Sequence, residues 1–481
     1  MTRGIHWFRN DLRLRDNLAL SELAERTDEW AALFVVDPEI IRRADGDAPR
    51  LRFLFDSLRR LERDLGDRGI VLQIRRGRPE SVLPLLMAKT GARVVSWNAA
   101  PTPMGRRRDE RVSRGVENAG GRVIEVFDHT VFGSEEITTK SGGPYRIYSA
   151  YRNEWWRQWE RGPRRSAPRS KLPRSSIPGL DASENVELPS GPQSGAGPRL
   201  PTGGERAANH RLKTFLSNKA HRYHLDRDTP ALDGTSKLSP HLRFGTLSAR
   251  RCFTLGLDAI ESDPSRRAGV EKWLDELVWR EFYHAVMANS PHVLSRSYRP
   301  EYDQLDWSGS DANFEAWCEG RTGYPFVDAG MRQLRKTGWM HNRVRMVVAS
   351  FLTKDLLVDW RRGERFFAES LVDWDPASNN GGWQWSASTG TDAQPYFRIF
   401  NPVAQGQKWD PDGRYVRRWV PELSLVETRW IHEPWKAPRV PRYIAPIVDH
   451  AIQRERALEE FRRVRALARV PDERAIMGGG E

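Results

Sequence analysis

Short apolar segments alternate with stretches of helical periodicity over the first 130 or so residues, and this alternation restricts the fold more than any other feature of the chain. The apolar segments cover residues 5–8, 33–36, 71–74, 94–97 and 123–127. Helical patterns lie between them, for example over 53–61 and 79–87. Strands that alternate with helices form a parallel, doubly wound sheet. No G-x-G-x-x-G follows the first segment, so the pattern does not favour a dinucleotide site of the Rossmann type.

The composition changes near residue 161, and from there to about residue 204 the chain is rich in Pro, Gly, Ser and Arg. Such a segment cannot bury a core and indicates a connector. After it, apolar residues recur at helical spacing, as at 273–282 and 344–351, and the stretch 454–469 has the pattern of a polar, exposed helix.

These changes divide the chain into four parts. We expect an α/β domain over 1–132, a connector over 133–204, a mostly helical domain over 205–470 and a short tail over 471–481.

The charge balance favours a polyanionic partner. The chain has 77 Lys and Arg against 64 Asp and Glu, a net charge of +13, which suits nucleic acid, although a basic surface that serves only solubility gives the same balance. Its 19 tryptophans suit stacking on flat ligands or bases as well as packing.

The two cysteines, Cys252 and Cys318, are too few for a disulfide framework, a cysteine zinc site or a four-cysteine iron–sulfur cluster, and we expect no metal. Residues 1–8 lack the features of a signal peptide, and no stretch is long and apolar enough to span a bilayer. We expect a cytoplasmic, monomeric protein.

Three polar clusters in the second half could carry chemistry. Residues 234–240 place three hydroxyls and a lysine in a turn, which suits a pyrophosphate, although helix capping alone also explains it. Residues 339–346 put Asn342, Arg345 and Met346 on one helix face. Residues 373–392 combine carboxylates, amides and glycines beside tryptophans, which suits the edge of a heteroaromatic ring or a polar loop with Asx turns.

The third cluster resembles the flavin-binding signature of the photolyase and cryptochrome family. Residues 379–385 read Asn-Asn-Gly-Gly-Trp-Gln-Trp, and 397–402 read Phe-Arg-Ile-Phe-Asn-Pro. Further motifs of the family occur in the same order at 7–17, 234–240, 276–283 and 419–423. The resemblance implies an α/β antenna domain followed by a helical domain that binds FAD in a U-shaped conformation.

The resemblance also implies which residues hold the cofactor. Those expected at the phosphates and ribityl chain are Tyr223, Thr235, Ser236, Lys237, Leu238 and Ser239. Those expected around the adenine and the isoalloxazine are Trp339, Asn342, Arg345, Asp373, Asp375 and Asn379. A pair between Arg345 and Asp373 would favour the anionic reduced flavin, and Asn379 offers an amide to the N5 atom of the ring.

Within the family, the sequence is most like the enzymes that repair cyclobutane pyrimidine dimers in double-stranded DNA by light-driven electron transfer from reduced FAD. Asn379 stands where plant-type cryptochromes have aspartate, and Asn342 and Met346 stand where six-four enzymes have histidines. The residues implied at the flipped dimer are Glu276, Trp279, Asn342, Met346 and Trp385. Arg227, Arg343 and Arg398 would bind flanking phosphates, and Trp383, Trp360 and Trp307 would form an electron relay to the flavin.

One departure from the family concerns the antenna pigment. Folate- and deazaflavin-binding members carry acidic residues after the fourth strand, where this chain reads Asn-Ala-Ala-Pro-Thr-Pro over 98–103. The pigment could be another flavin or a deazaflavin held through Arg9, Asp37 and Arg50, it could be a folate, or it could be absent.

Two other functions are compatible with the same residues. A blue-light receptor of cryptochrome type shares the fold and FAD, and a nonenzymatic nucleic-acid binder would use the tryptophans only for stacking.

Overall fold

The computed structural model describes residues 1–39, 48–164, 172, 175–188, 198–439 and 442–468. The predicted tail over 471–481 lies outside these residues. Within the described residues, no helix is long and apolar enough to cross a membrane.

A parallel sheet forms the centre of the N-terminal part. Its strands are β1 (Arg3–Phe8), β2 (Glu29–Val36), β3 (Leu72–Arg76), β4 (Val94–Asn98) and β5 (Arg122–Val126), in the order β3-β2-β1-β4-β5, and the two-residue strand β6 (Ser175–Ser176) also pairs with β2. The helices that accompany it are α1 (Leu18–Arg26), α2 (Pro49–Gly66), α3 (Pro79–Thr90) and α4 (Pro103–Asn118). The predicted doubly wound α/β fold is confirmed.

Both faces of the sheet are covered. Phe8 and Phe34 pack in one apolar cluster with residues of α1 and α2, and Trp7 and Leu33 pack in a second cluster with residues of α3 and α4. All eight residues of β2 are buried, as expected for a central strand with helices on both sides.

The range predicted as a connector contains ordered elements. Helix α5 (Tyr148–Arg161) buries Trp155 and Trp159 against Phe253 of the helical half, and β6 joins the sheet. The low apolar content of the residues after 161 therefore did not predict that α5, which ends at Arg161, packs into a core. The domain limits themselves stay a prediction.

The second half is helical, as predicted, and the described residues from 205 onward contain no strand. Its helices are α6 (Glu205–Asn218), α7 (Tyr223–Asp226), α8 (Ser239–Arg243), α9 (Ala249–Ser262), α10 (Arg267–Asn289), α11 (Asp311–Glu319), α12 (Pro325–Thr337), α13 (Asn342–Ser350), α14 (Trp360–Ser370), α15 (Pro376–Ala387), α16 (Pro402–Trp409), α17 (Arg414–Trp419) and α18 (His450–Leu467). A π-helix, Phe351–Asp355, continues α13, and short 3₁₀ turns cover Ala220–Arg222, Pro264–Arg266, Pro291–Leu294, Pro300–Gln304, Pro421–Leu423, Thr428–Trp430 and Pro434–Lys436.

The last helix is less exposed than its polar sequence predicts. Phe461 and Val464 of α18 are buried against Tyr302 and Leu305, so the prediction of an exposed helix is wrong for this face. The composition of this helix did not predict the contact, because most of its residues have long polar side chains.

The family-like motif at 7–17 joins the two halves. Arg13 and Arg250 both contact the buried carboxylate of Asp128, and an Arg13 guanidinium nitrogen donates to the Gly245 carbonyl at 3.0 Å. A Cβ atom on Gly245 would lie 1.9 Å from the carbonyl oxygen of Asn10, so only glycine allows this approach. The α/β half is thereby fixed against the helices that build the site.

Candidate cofactor and substrate site

A cavity of about 480 Å³ opens between α10, α13, α15 and the turn that precedes α8. Every residue predicted from the resemblance to hold the cofactor lines it: Tyr223, Thr235, Ser236, Lys237, Leu238, Ser239, Trp339, Asn342, Arg345, Asp373, Asp375 and Asn379. The structure therefore brings the three polar clusters of the sequence together around one space.

The turn at 234–239 is held in place by contacts of Lys237 and Ser239. Lys237 has a positive φ of 51°, and its Nζ lies 2.7 Å from Asp233 and 5.5 Å from the centre of the Trp339 ring. The Ser239 hydroxyl donates to Asp373 at 2.5 Å. The turn thus presents hydroxyls and a lysine to the cavity, and its Ser239 hydroxyl bonds it to the Asp373 carboxylate, which also lines the cavity.

The predicted pair between Arg345 and Asp373 is present. One guanidinium nitrogen of Arg345 lies 2.8 and 3.1 Å from the two oxygens of Asp373, and Arg345 Nε donates to the Met340 carbonyl at 2.8 Å. Because Asp373 is buried and Arg345 is partly exposed, the pair orients the guanidinium at the cavity wall and keeps a positive charge there.

Asp375 belongs to a buried cluster that the sequence did not reveal. Its Oδ2 atom lies 3.2 Å from His284 Nε2, 3.7 Å from His129 Nε2 and 4.0 Å from the Arg280 guanidinium. Burial raises the pKa of the Asp375 carboxyl, but these basic neighbours outweigh it and hold the pKa well below its usual range. Burial lowers the pKa of both histidines, and the Asp375 carboxylate only partly opposes this effect.

His129, His284 and Asp375 have the spacing of metal ligands, since their ligand atoms lie within 4.8 Å of one another. The Arg280 guanidinium contacts His129 Nε2 and repels a divalent cation at this point. The prediction of no metal stays a prediction, and the geometry favours a hydrogen-bonded charge cluster beside the cavity.

Helix α15 explains the double glycine of the flavin-like signature. A Cβ atom on Gly381 would lie 2.1 Å from the Tyr283 ring, whereas one on Gly382 would meet no atom within 4 Å. Gly381 therefore lets α15 approach α10, and Gly382 keeps space open at the cavity. The segment is a helix that Asp375 caps by accepting from Ser378 N at 2.9 Å, and not the polar loop that was the alternative.

The amides of the signature have separate roles. Asn379 lines the cavity and donates from Nδ2 to the Glu364 carbonyl at 3.1 Å. Asn380 and Gln384 point elsewhere, because both donate to the Val293 carbonyl, at 2.8 and 3.0 Å. Their pairing holds α15 in place.

The residues predicted at the flipped dimer lie along the same cavity: Glu276, Trp279, Asn342, Met346 and Trp385. Trp279 stacks on Tyr148 with the ring centres 3.5 Å apart and the planes at 10°. Since Tyr148 covers one face of the indole, its orientation is fixed before any ligand arrives. Tyr148 comes from α5, in the range predicted as a connector.

Two of the three predicted phosphate-binding arginines line the cavity. Arg227 is ion-paired with Glu276, and Arg343 lies 3.0 Å from Asp228. Arg398 does not line it, and the side chain is exposed in the loop that follows α15. The structure therefore separates Arg398 from the other two.

The three predicted relay tryptophans belong to one apolar region. Trp383 lines the cavity and is 2% exposed, Trp360 is fully buried in the same cluster, and the half-buried Trp307 packs on that cluster from outside. Trp383 meets Phe367 edge-on with ring centres 5.0 Å apart. The three side chains range from the cavity wall to a half-buried position, and the role of the set stays a prediction.

Sequence reasoning missed several lining residues: Arg243, Trp273, Arg280, Tyr283 and Trp374. Trp273, Arg280 and Tyr283 recur at helical spacing with Glu276 on α10, so the periodicity around Glu276 was a signal that could have found them. No sequence pattern predicted Arg243 and Trp374, because they are far apart in the chain. They come together only in the folded protein, where Arg243 Nε donates to the Trp374 carbonyl at 2.7 Å.

The residues proposed for the antenna pigment are engaged within the protein. Arg9 contacts Asp109 and lies 4.5 Å above the Trp7 ring, and Arg50 contacts the Ala368 carbonyl of the helical half. Asp37 is buried at the end of β2. Residues 40–47, which follow Asp37 in the chain, lie outside the described residues, so the antenna prediction stays open.

The fold and the cavity define a flavoprotein of the photolyase and cryptochrome class. A family model described as DNA photolyase matches residues 4–171, and one described as the FAD binding domain of DNA photolyase matches residues 273–463. The chain belongs to the DNA photolyase family, and its helical half is the FAD-binding domain, as predicted.

Relatives match over nearly the full length. The deoxyribodipyrimidine photo-lyase of a Synechococcus species is 37% identical, with 97% of this chain and 98% of the relative covered. The crystal structure of a class III photolyase from Agrobacterium tumefaciens has a TM-score of 0.87 at 36% identity and covers 97% of this chain and 98% of the other. A cryptochrome from a Synechocystis species has a TM-score of 0.83 at 26% identity, with 95% and 99% covered.

Proposed function

We propose that this protein is a light-driven DNA repair enzyme, a carbon–carbon lyase that splits cyclobutane pyrimidine dimers with reduced FAD. The observation that carries the proposal is the shared cavity. Side chains suited to FAD and side chains suited to a flipped dimer line the same 480 Å³ space. A cofactor and a substrate bound there would be in contact, as direct electron transfer requires.

The residues present fit FAD. The turn with Lys237 offers hydroxyl and ammonium donors to a pyrophosphate, the Arg345–Asp373 pair places positive charge at the wall, and Gly382 leaves open space where a side chain would reduce the cavity. When bound, reduced FAD supplies the electron that light drives into the dimer and takes it back after the ring has opened. There is no net oxidation or reduction.

The protein's contribution is to bind and orient the dimer. The faces of a cyclobutane dimer are apolar and its rim carries carbonyl and imide groups, so Trp279, Trp385 and Met346 suit the faces. Glu276 can accept a hydrogen bond from an imide N–H, and Asn342 can donate to a carbonyl. Photolyases belong to the enzymes that extrude their target bases, and a damaged, poorly stacked pair is the least costly to extrude.

Arg227 and Arg343 would bind the phosphates beside the dimer. Both line the cavity with side chains that are partly exposed, and the net charge of +13 favours approach to DNA. Phosphate contacts are independent of sequence and weaken with salt. Arg343→Ala should therefore lower the salt dependence of binding by about one unit on damaged and undamaged DNA alike.

Trp383, Trp360 and Trp307 would carry an electron from the surface to oxidised FAD. Their membership in one apolar cluster, with Trp383 at the cavity and Trp307 half-buried, supports this assignment. Their role is separate from repair itself, which needs only the reduced cofactor.

We further infer a monomeric, cytoplasmic enzyme acting on double-stranded DNA. The free cysteines Cys252 and Cys318 suit a reducing compartment. Sedimentation velocity of the purified protein tests the monomer, and a dimer at working concentrations would contradict it.

A cryptochrome-type receptor is the alternative, because a cryptochrome shares the fold. The decisive experiment irradiates a thymine-dimer oligonucleotide with blue light in the presence of the chemically reduced protein and separates the products by chromatography. We expect restored thymines. Unchanged dimer would contradict the repair proposal and favour the receptor.

A further inference from the structure

The two arginines of the cavity lining that are expected at DNA phosphates, Arg227 and Arg343, are already paired with acidic residues. Asp228 lies between them, with its Oδ1 atom 3.0 Å from an Arg343 guanidinium nitrogen and 3.8 Å from Arg227 Nε. Glu276 contacts the other side of the Arg227 guanidinium. Two acids therefore hold the two cations that a DNA phosphate would need.

The arrangement is restrained on the remaining sides. Arg343 lies 4.5 Å above the Trp409 ring, so its guanidinium sits between an aromatic face and Asp228. Arg227 lies 5.5 Å above the Tyr223 ring. The side chains of Arg227, Arg343 and Asp228 are 15%, 17% and 24% exposed, so water screens these pairs less than it screens pairs on the open surface.

We propose that Asp228 and Glu276 form an acidic latch that makes the site selective for damaged DNA. The proposal rests on the repair function proposed above and names Asp228 as a positioning residue for it. A phosphate of any DNA must compete with the latch for Arg227 and Arg343. The latch therefore weakens binding to every duplex that offers phosphates alone.

A flipped dimer offers more than phosphates. Its imide N–H can donate to Glu276, so the carboxylate keeps a hydrogen-bond partner when Arg227 turns to the phosphate. Undamaged DNA provides no such donor, because its bases stay stacked. The latch thus opens at lower cost for damaged DNA, which raises the ratio of the two affinities.

Asp228→Asn tests the latch, because it removes the charge and keeps the size. We expect tighter binding to undamaged duplex by about twofold to fivefold, the range set by breaking one partly exposed charge pair. Binding to the dimer duplex should change less, because the dimer there takes Glu276 and Arg227, whose Nε lies 3.8 Å from Asp228, can then pair with both the phosphate and Asp228. The damaged-to-undamaged affinity ratio should therefore fall. The measurement is fluorescence anisotropy on matched duplexes with and without one thymine dimer, at fixed salt, with FAD content checked by absorption.

Asp226→Asn is the matched control. It removes the same charge two residues away, where Asp226 pairs with the exposed Arg222 outside the cavity. We expect its affinity ratio to equal that of wild type. An equal ratio in Asp228→Asn and Asp226→Asn would overturn the latch.

A second variant keeps the proposal testable if Asp228→Asn loses FAD. Asp228→Glu retains the charge, so the latch predicts a ratio close to wild type, and a low ratio would contradict it. In an Arg343→Ala background, Asp228→Asn should change undamaged binding by less than half as much as in wild type, because the nearer of the two partners of the carboxylate is gone. An undiminished effect there would also overturn the latch.

The proposed function fails in a different way. A wild-type protein that neither repairs the dimer nor prefers damaged DNA would defeat the repair proposal. If the wild-type protein repairs the dimer and prefers damaged DNA, and the Asp228→Asn variant has the same damaged-to-undamaged affinity ratio, only the latch is contradicted.

Discussion

Trp383→Phe separates the relay from repair. Trp383 forms part of the cavity wall and is 2% exposed, and its indole N–H has no hydrogen-bond partner among the described residues. Phenylalanine therefore removes no hydrogen bond and keeps an aromatic ring against Phe367. It also removes the easily oxidised indole, which is the property that a relay needs.

The structural cost of this change is small. The side chain becomes roughly 40 Å³ smaller, and at about 24 cal/mol per Å³ of residual cavity the free energy of unfolding falls by about 1 kcal/mol from the cavity alone. Lost transfer energy adds a similar amount. The Trp383→Phe variant should therefore still fold and bind FAD.

The assay has two parts. Light-driven reduction of bound oxidised FAD, followed by absorption in the presence of a thiol, should be lost in Trp383→Phe. Repair of a thymine-dimer oligonucleotide by the chemically reduced variant should continue near the wild-type rate. Trp159→Phe, which alters a buried tryptophan of α5 packed away from the cavity, is the control and should photoreduce normally.

Photoreduction of Trp383→Phe at the wild-type rate would refute the reasoning. Trp383 would then be a packing residue of the cavity wall, and the electron would reach the flavin by another route.

Three further predictions concern the site and its support. Glu276→Ala should slow repair under saturating light while FAD content and photoreduction persist, because it removes an acceptor for the dimer; product chromatography measures this, and unimpaired repair would argue against the contact. Gly381→Ala should lower the free energy of unfolding by about 1 to 3 kcal/mol, since its Cβ would lie 2.1 Å from Tyr283, whereas Gly382→Ala should not destabilise the apoprotein; thermal melts compare the two, and equal melting temperatures would contradict the packing argument. Burial lowers the pKa of His341 from 6.5 to about 4. As the pH falls, the unfolded chain therefore takes up this proton at a higher pH than the folded protein does. The contribution of His341 to the free energy of unfolding is full above pH 6.5 and is lost as the pH falls through about 4. His341→Asn, which can still cap α13, should reduce this loss by on the order of 3 kcal/mol in urea titrations across that range. An unchanged slope with pH would show that His341 is not the titrating group.

Local patterns of the chain determined the fold class and the motifs that carry the residues expected at the cofactor. The five strands and the helices of the second half follow from periodicity, which reports the side of each element that is buried. The residues expected at FAD lie in short motifs, such as the turn at 234–239 and the helix start at Asp375. Each motif has a local backbone geometry, so its parts stay together however the domains pack, and the family resemblance could carry them over residue by residue.

Contacts between distant segments were decided only by the tertiary structure. Tyr148 stacks on Trp279, the His129–His284–Asp375 cluster joins three segments, and Arg398, expected at a flanking phosphate, does not line the cavity that Arg227 and Arg343 line. Periodicity tells which face of an element is buried, but not which other element covers it. The pairing of Asp228 with Arg343 depends on the relative positions of α7 and α13, which arise from the packing of the whole helical domain, and no local pattern of charge contains them.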